Sequence, residues 1–165
     1  MSELGSPFGQ GWPDRFNLCT YFLDHNVDEG RGEKTALVCG DRSHTYASLQ
    51  ERVIRLTAAL REMGLGAEDR VLIVLPDDLE FAEIWFATLR AGGVFAMVNP
   101  LLKAKDFSYY LEYTKARVLV TDSSVLAEIG EAARSSPHLR GVLVVGSEVE
   151  DFTPYEGAIA AQSED

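Results

Sequence analysis

The glycines are the first residues whose spacing could do chemistry, because backbone amides in a glycine-rich turn can cradle a phosphate. The candidates are Gly64-Leu65-Gly66 and Gly92-Gly93. A phosphate loop needs a strand-to-helix turn ending in Gly-Lys-Ser/Thr, and a dinucleotide fold needs G-x-G-x-x-G opening a helix. Here each glycine follows a helical run and so reads as a cap. His25, His44 and His138 are isolated from one another and from any candidate nucleophile, so they read as surface or capping residues rather than acid/base groups. Asp77-Asp78 could pair two carboxylates, but its place ahead of an apolar run favours helix capping. Tyr109, Tyr110 and Tyr113 could stack on an aromatic ligand, yet at helical spacing they read as core and rim. Lys103 and Lys105 face the positive end of a helix dipole, a cost that fits a phosphate partner or simple drift, with drift preferred. Cys19 and Cys39 form no CxxC or Cys/His cluster, which argues against structural zinc, and both read as small core residues. No catalytic, cofactor-binding or metal-binding residue is assigned on these grounds.

The elements that would hold such residues are easier to read. Trp85 to Leu102, WFATLRAGGVFAMVNPLL, is the organising stretch: an apolar helix, a Gly92-Gly93 reversal, a buried strand over 94–98, and an exit through Asn99-Pro100. Before it, the spacing of Leu18, Tyr21, Phe22 and His25 predicts an amphipathic helix over 16–28, and TALVC (35–39) predicts a strand with a hairpin arm at 43–46. Leu49, Val53, Leu56, Leu60 and Met63 mark a helix with Thr45 as N-cap. Its third residue after the cap is Ser48, so the usual Glu of a capping box is missing. VLIVL (71–75) is a strand covered on both faces, and Asp77 with Glu80 predicts an N-terminus for helix 78–91. That helix is apolar almost all round, as if made to sit inside a larger protein. Helix 106–114, strand 117–120, a helix capped by Ser123 or Ser124 and strand 141–145 follow.

Alternating strands and helices predict an α/β fold with a largely parallel sheet flanked by helices. The 165 residues suffice for one core. Residues 1–15 read as a flexible Gly/Pro-rich arm in which Phe8 and Trp12 could dock on the body, 16–147 as the α/β body, and 148–165 as an acidic, solvated tail or short helix. A net charge of −11 argues against nucleic acid and anionic membrane as partners. The start of the chain lacks a basic region followed by an apolar run, and no apolar run reaches the ~20 residues of a membrane span, which points to a cytoplasmic protein.

Five stretches resemble a known family: FNLCTYFLDHNVDEGRGEKTAL (16–37), HTYASL (44–49), GAEDRVLIVLPD (66–77), LRAGGVFAMVNPLL (89–102) and YYLEYTKARVLVTD (109–122). They are similar to the N-terminal part of the adenylate-forming acyl- and aryl-CoA ligases, with the nearest likeness to benzoate-CoA ligases. The fold implied is the N-terminal subdomain of those enzymes. The activity implied is activation of an aromatic carboxylic acid with MgATP to an acyl-adenylate, followed by transfer to coenzyme A. In that family the Thr/Ser/Gly-rich phosphate loop, the acid pocket, the nucleotide-binding Asp and the C-terminal lysine lie later than this sequence runs. ATP, Mg and coenzyme A are therefore implied for the full-length family and none for these residues alone. Gly92, Gly93, Asn99 and Pro100 carry over as motif positions with a structural role. Ser48, where the family usually has Glu, and Lys103-Ala104-Lys105, where Thr-Pro-Glu is common, depart from the pattern and weaken helix starts. Two readings follow: a piece of an aryl-CoA ligase-like enzyme, inactive alone, or a stand-alone scaffold that dimerises or complements a separate chain.

Overall fold

The computed structural model describes residues 16–162. The arm expected over 1–15, with Phe8 and Trp12, lies outside the described residues. Two strands, β1 (Thr35–Cys39) and β2 (Arg42–Thr45), form a separate antiparallel hairpin turning at Gly40-Asp41. The rest alternates as α1 (Tyr46–Glu62), β3 (Arg70–Val74), α2 (Leu79–Ala91), β4 (Val94–Met97), α3 (Ala104–Thr114), β5 (Val118–Asp122), α4 (Leu126–Ser135), β6 (Gly141–Val145), β7 (Thr153–Pro154) and α5 (Tyr155–Ala160).

Strands β3 to β7 make one parallel sheet in the order β4-β3-β5-β6-β7. The fold is thus the α/β class expected, and strand alternation explains its layers. Val71 and Ile73 of β3, Val118 and Val120 of β5, and Leu143 of β6 pack into one core with α1, α2 and α5. Their neighbours Leu72, Val74, Leu119, Val142 and Val144 point the other way, onto Phe107 and Leu111 of α3 and Ile129 and Ala133 of α4. A strand buried on both faces must be apolar throughout, which is why these runs carry no alternation.

Several details differ from the sequence reading. β4 is an edge strand paired only with β3 among the described residues, and Met97 is 51% exposed. The strand expected to be buried lies at the border of the sheet, because the chain returns from β4 past β3 before laying down β5. The segment over 16–28 includes a wide π-helical turn, Thr20–Asp24, and a second follows at Val27–Arg31. The first is tied to α2: Asn17 Nδ2 donates to the Leu89 carbonyl at 2.7 Å, and Asp24 pairs with Arg90.

Three helix starts also differ. Ser48 completes a capping box after all, accepting from Thr45 N at 3.0 Å while Thr45 Oγ1 accepts from Ser48 N at 3.2 Å. A serine hydroxyl suffices because residue N3 already sits within reach of the cap amide. The cap of α2 is Asp78 rather than Asp77, and Asp122 rather than Ser123 or Ser124 caps the turn before α4. Within the stretch after 148, β7 joins the sheet and a short helix follows, with Tyr155, Ala158 and Ile159 of α5 buried.

Candidate functional site

The chain order of the sheet reverses between β3 and β5: β4 lies to one side of β3, while β5, β6 and β7 lie to the other. In open α/β sheets the crevice beyond the carboxyl ends of the strands at such a reversal is the usual ligand site. A cavity of about 520 Å³ lies there, against Leu75 and Pro76 after β3, Asp122 at the end of β5, and Val145 and Gly146 at the end of β6. Pro154 and Tyr155 form another wall.

Its electrostatics decide what it can hold. One guanidinium, Arg42, faces Asp78, Glu80, Asp122, Glu148 and Glu156. Arg42 is already engaged: it pairs with Asp78 and makes two bonds to the Glu80 carboxylate, at 2.6 and 3.0 Å. The two amide turns that could receive a phosphate are also taken. Asp78 accepts from Leu79 N at 2.7 Å, and this amide, aided by Cys39 and Arg42, holds the Asp78 carboxyl below its ordinary range. Asp122 Oδ1 accepts from Ser124 N at 2.8 Å. A triphosphate would meet carboxylates where it needs free N–H donors and cations. Among the described residues no group of His, Cys, Asp and Glu is arranged to hold a metal ion. These residues do not fit ATP or magnesium.

Beside the cavity sits a polar cluster that the sequence did not announce. Glu83 of α2 is 1% exposed. Its carboxylate receives Arg52 Nε at 2.7 Å and Nη2 at 3.0 Å, His44 Nε2 at 2.7 Å and Tyr155 Oη at 2.9 Å. Arg52 reaches on to Glu156 at 2.6 and 3.1 Å. One buried carboxylate so joins β2, α1, α2 and α5, and full satisfaction is what makes its burial tolerable. Burial first, and the facing Glu83 second, push the Tyr155 phenol well above its ordinary range, so it remains a donor. The available signal was Glu83 between Leu79 and Ala87 at four-residue spacing on the inward stripe of a helix read as apolar all round.

The other candidates are scattered. His25 pairs with Glu29 at 3.0 Å and His138 with Glu112 at 3.4 Å, and neither is beside a nucleophile. Tyr109 and Tyr113 stack with centroids 5.6 Å apart on the exposed face of α3, while Tyr110 is half-buried. Lys103 is neutralised: its Nζ lies 3.1 Å from Glu128, whose other oxygen accepts from Ala104 N at 3.0 Å. Glu128 reaches over from α4 to stabilise the start of α3, so the supposed penalty is offset and no phosphate is required. Cys19 is buried as expected, but Cys39 is only half-buried at the hairpin end, near the Asp77 carbonyl.

The motif glycines do structural work. Gly92 closes α2 in the left-handed conformation at φ 81°, and a Cβ on Gly93 would lie 3.2 Å from the Asp69 carbonyl and from Thr88 Cγ2. Asn99 folds its own exit turn, Oδ1 accepting from Leu101 N at 2.9 Å.

A five-stranded parallel sheet with helices on both faces and an N-terminal hairpin defines an α/β domain of the kind that begins adenylate-forming enzymes. Residues 23–164 match the model of the family described as AMP-binding enzyme, and the chain belongs to that family. It is 37% identical over 131 residues to the 4-hydroxybenzoate–CoA/benzoate–CoA ligase of Rhodopseudomonas palustris, covering 79% of this chain and 24% of that protein. To the benzoate–CoA ligase of Thauera aromatica it is 33% identical, covering 84% of this chain and 27% of the other. The solved benzoate CoA ligase from Burkholderia xenovorans LB400 superposes with a TM-score of 0.79 at 29% identity, over 89% of this chain and 29% of that one. An anthranilate CoA ligase solved with anthranoyl-AMP gives 0.85 at 25% identity, over 93% of this chain and 29% of the other. The chain thus spans about a quarter of the length of the curated relatives it matches.

Proposed function

We propose that this chain is the N-terminal scaffold of an aryl-CoA ligase-like enzyme that activates an aromatic carboxylic acid with ATP and passes it to coenzyme A, and that these residues alone are inactive. One observation carries the reading: the strand-end crevice of a chain in this family is closed to phosphate by its own carboxylates. Adenylate formation needs preorganised donors on the triphosphate and a metal to neutralise it. Arg42, Asp78, Glu80 and Asp122 satisfy one another and the adjacent amides instead. Arg42, Asp78 and Glu80 fix the hairpin to the start of α2, and Asp122 caps the turn before α4, giving a rigid sheet against which the nucleotide-binding portion of such an enzyme would be built.

Equilibrium dialysis of the 165-residue chain against MgATP, with and without benzoate, tests it. The reading predicts no saturable nucleotide binding in the micromolar to low-millimolar range. Saturable binding would overturn the inactive-alone reading.

Among the described residues the outer edge of β4 is unpaired, which favours a second reading, a scaffold that associates with a copy or a complementing chain. Val94 and Met97 are exposed on a strand without charge or proline, the usual protections of an edge. Light scattering on eluting protein distinguishes the readings: a concentration-independent monomer contradicts the self-associating form.

A further inference from the structure

We propose that β7 and α5 form a hinged flap over the strand-end cavity, latched shut by the Glu83 carboxylate. The inference rests on geometry independent of the proposed chemistry. The flap supplies one wall of the cavity through Pro154, Tyr155, Glu156 and Gly157. Its attachment to the sheet is slight. β7 makes only two register pairs with β6, Leu143 with Thr153 and Val144 with Pro154, and proline has no N–H to donate. α5 is six residues long, too short to be stable without packing.

The connection to β6 is built to turn. Gly146 at φ 92° and Asp151 at φ 77° both lie in the left-handed region, and they bracket the loop between β6 and β7. Gly146 is pressed against the β5 turn, where Ser147 N donates to Ser123 Oγ at 3.1 Å. The fixed end of the loop is therefore well anchored, and the flap moves beyond it.

What holds the flap down is the latch. Tyr155 is buried, and its hydroxyl donates to Glu83 at 2.9 Å. Glu156 pairs with Arg52, the same guanidinium that grips Glu83. Gln162 donates to Glu62 at 2.7 Å just beyond α5. Ala158 and Ile159 supply the apolar contact. Tyr155 bonds Glu83 directly and Glu156 reaches it through Arg52, so the latch centres on a carboxylate that belongs to α2, not to the flap. Loosening that carboxylate frees the flap while the sheet, covered on the same face by α1 and α2 and on the other by α3 and α4, stays folded. Opening removes the Pro154–Gly157 wall and widens the cavity.

Hydrogen exchange followed by mass spectrometry on the full chain tests this. Tyr155→Phe keeps the buried ring and removes the hydroxyl, with its bond to Glu83 at 2.9 Å and a longer one to the Glu80 carbonyl at 3.3 Å. The loss of one charge-assisted bond predicts at least about tenfold faster exchange at residues 155–161. Exchange in β3 and β5 stays at the wild-type rate. Glu83→Gln, which also leaves Arg52 without its buried partner, gives a larger rise at 155–161 and a smaller one in the sheet. Glu156→Gln, which touches only the exposed pair, gives a smaller one. Uniform acceleration across sheet and flap in Tyr155→Phe overturns the proposal, as does an unchanged rate at 155–161. Because Tyr155→Phe preserves packing, the result stands even if Glu83→Gln fails to fold.

Discussion

Arg52 and Glu83 meet side-on, Nε to Oε1 at 2.7 Å and Nη2 to Oε2 at 3.0 Å, with the carboxylate shut away from water between α1 and α2. A bidentate guanidinium–carboxylate pair fixes orientation as well as distance. It sets the helix pair on one face of the sheet, and through Tyr155 and Glu156 it sets α5 as well.

Removing one partner leaves the other charge buried. Arg52→Met is expected to destabilise the chain by about 3 kcal/mol, the low end for a buried pair because Arg52 is itself partly exposed. The double variant Arg52→Met/Glu83→Leu should cost clearly less than the sum of the two single variants. Urea unfolding of all four proteins measures the coupling, and additive losses would contradict it.

Gly92 is the residue whose conformation the organising stretch depends on. At φ 81° with open space around it, Gly92→Ala carries a backbone penalty and no clash, about 1–2 kcal/mol. Gly93→Ala instead crowds the Asp69 carbonyl, Thr88 and Leu65. Thermal unfolding should show both losses, and Gly92→Asn, which tolerates the left-handed region, should recover part of the first.

The two thiols should separate chemically. Burial pushes the Cys19 thiol up to about 11 and closes it off, whereas Cys39 is half-buried at the end of the hairpin. The bond to Asp78 raises the Cys39 thiol as well, so its reaction is slow at pH 7 and speeds up with pH. Titration with a thiol reagent at pH 8 should count one reactive group in the folded chain and two in denaturant. Two fast groups in the folded chain would contradict the packing of the first π-helical turn.

Stability should fall at both ends of the pH scale for different reasons. The Asp78 carboxyl is lowered chiefly by the Leu79 amide, and that of Glu128 chiefly by Lys103. A lowered carboxyl stabilises above its unfolded pKa, near 4, and loses that contribution as pH falls through the folded value. Tyr155 is raised by burial, so its contribution is full below the unfolded phenol pKa, near 10, and is lost as pH rises beyond it. Urea midpoints from pH 3 to pH 11 should form a plateau with two shoulders. Tyr155→Phe should reduce the alkaline shoulder, to which the raised Cys19 thiol also contributes, and Asp78→Asn should remove part of the acid one.

The layers of the fold were legible because burial on both faces writes itself as apolar runs, such as VLIVL and GVLVV. The caps at Gly92 and Thr45 were legible because their chemistry is local. The place of β4 was not, since a strand's neighbours depend on which way the chain crosses the sheet, and periodicity is silent on that. The latch was hidden for a related reason. His44, Arg52, Glu83 and Tyr155 are far apart in sequence, and each alone reads as an ordinary surface or core residue. Glu128 neutralising Lys103 belongs to the same class. The acidic lining of the cavity was half visible in the acidic stretch over 148–165, but its closure against phosphate appears only when Asp78 and Asp122 are seen on their own amides.

We propose that this chain supplies the scaffold and not the chemistry of acid activation. Acid-dependent exchange of pyrophosphate into ATP by the purified 165-residue chain, with benzoate and hydroxybenzoates in turn, addresses it most directly. The account predicts exchange no greater than the acid-free blank for every acid. Exchange that rises and saturates with any of them would contradict it.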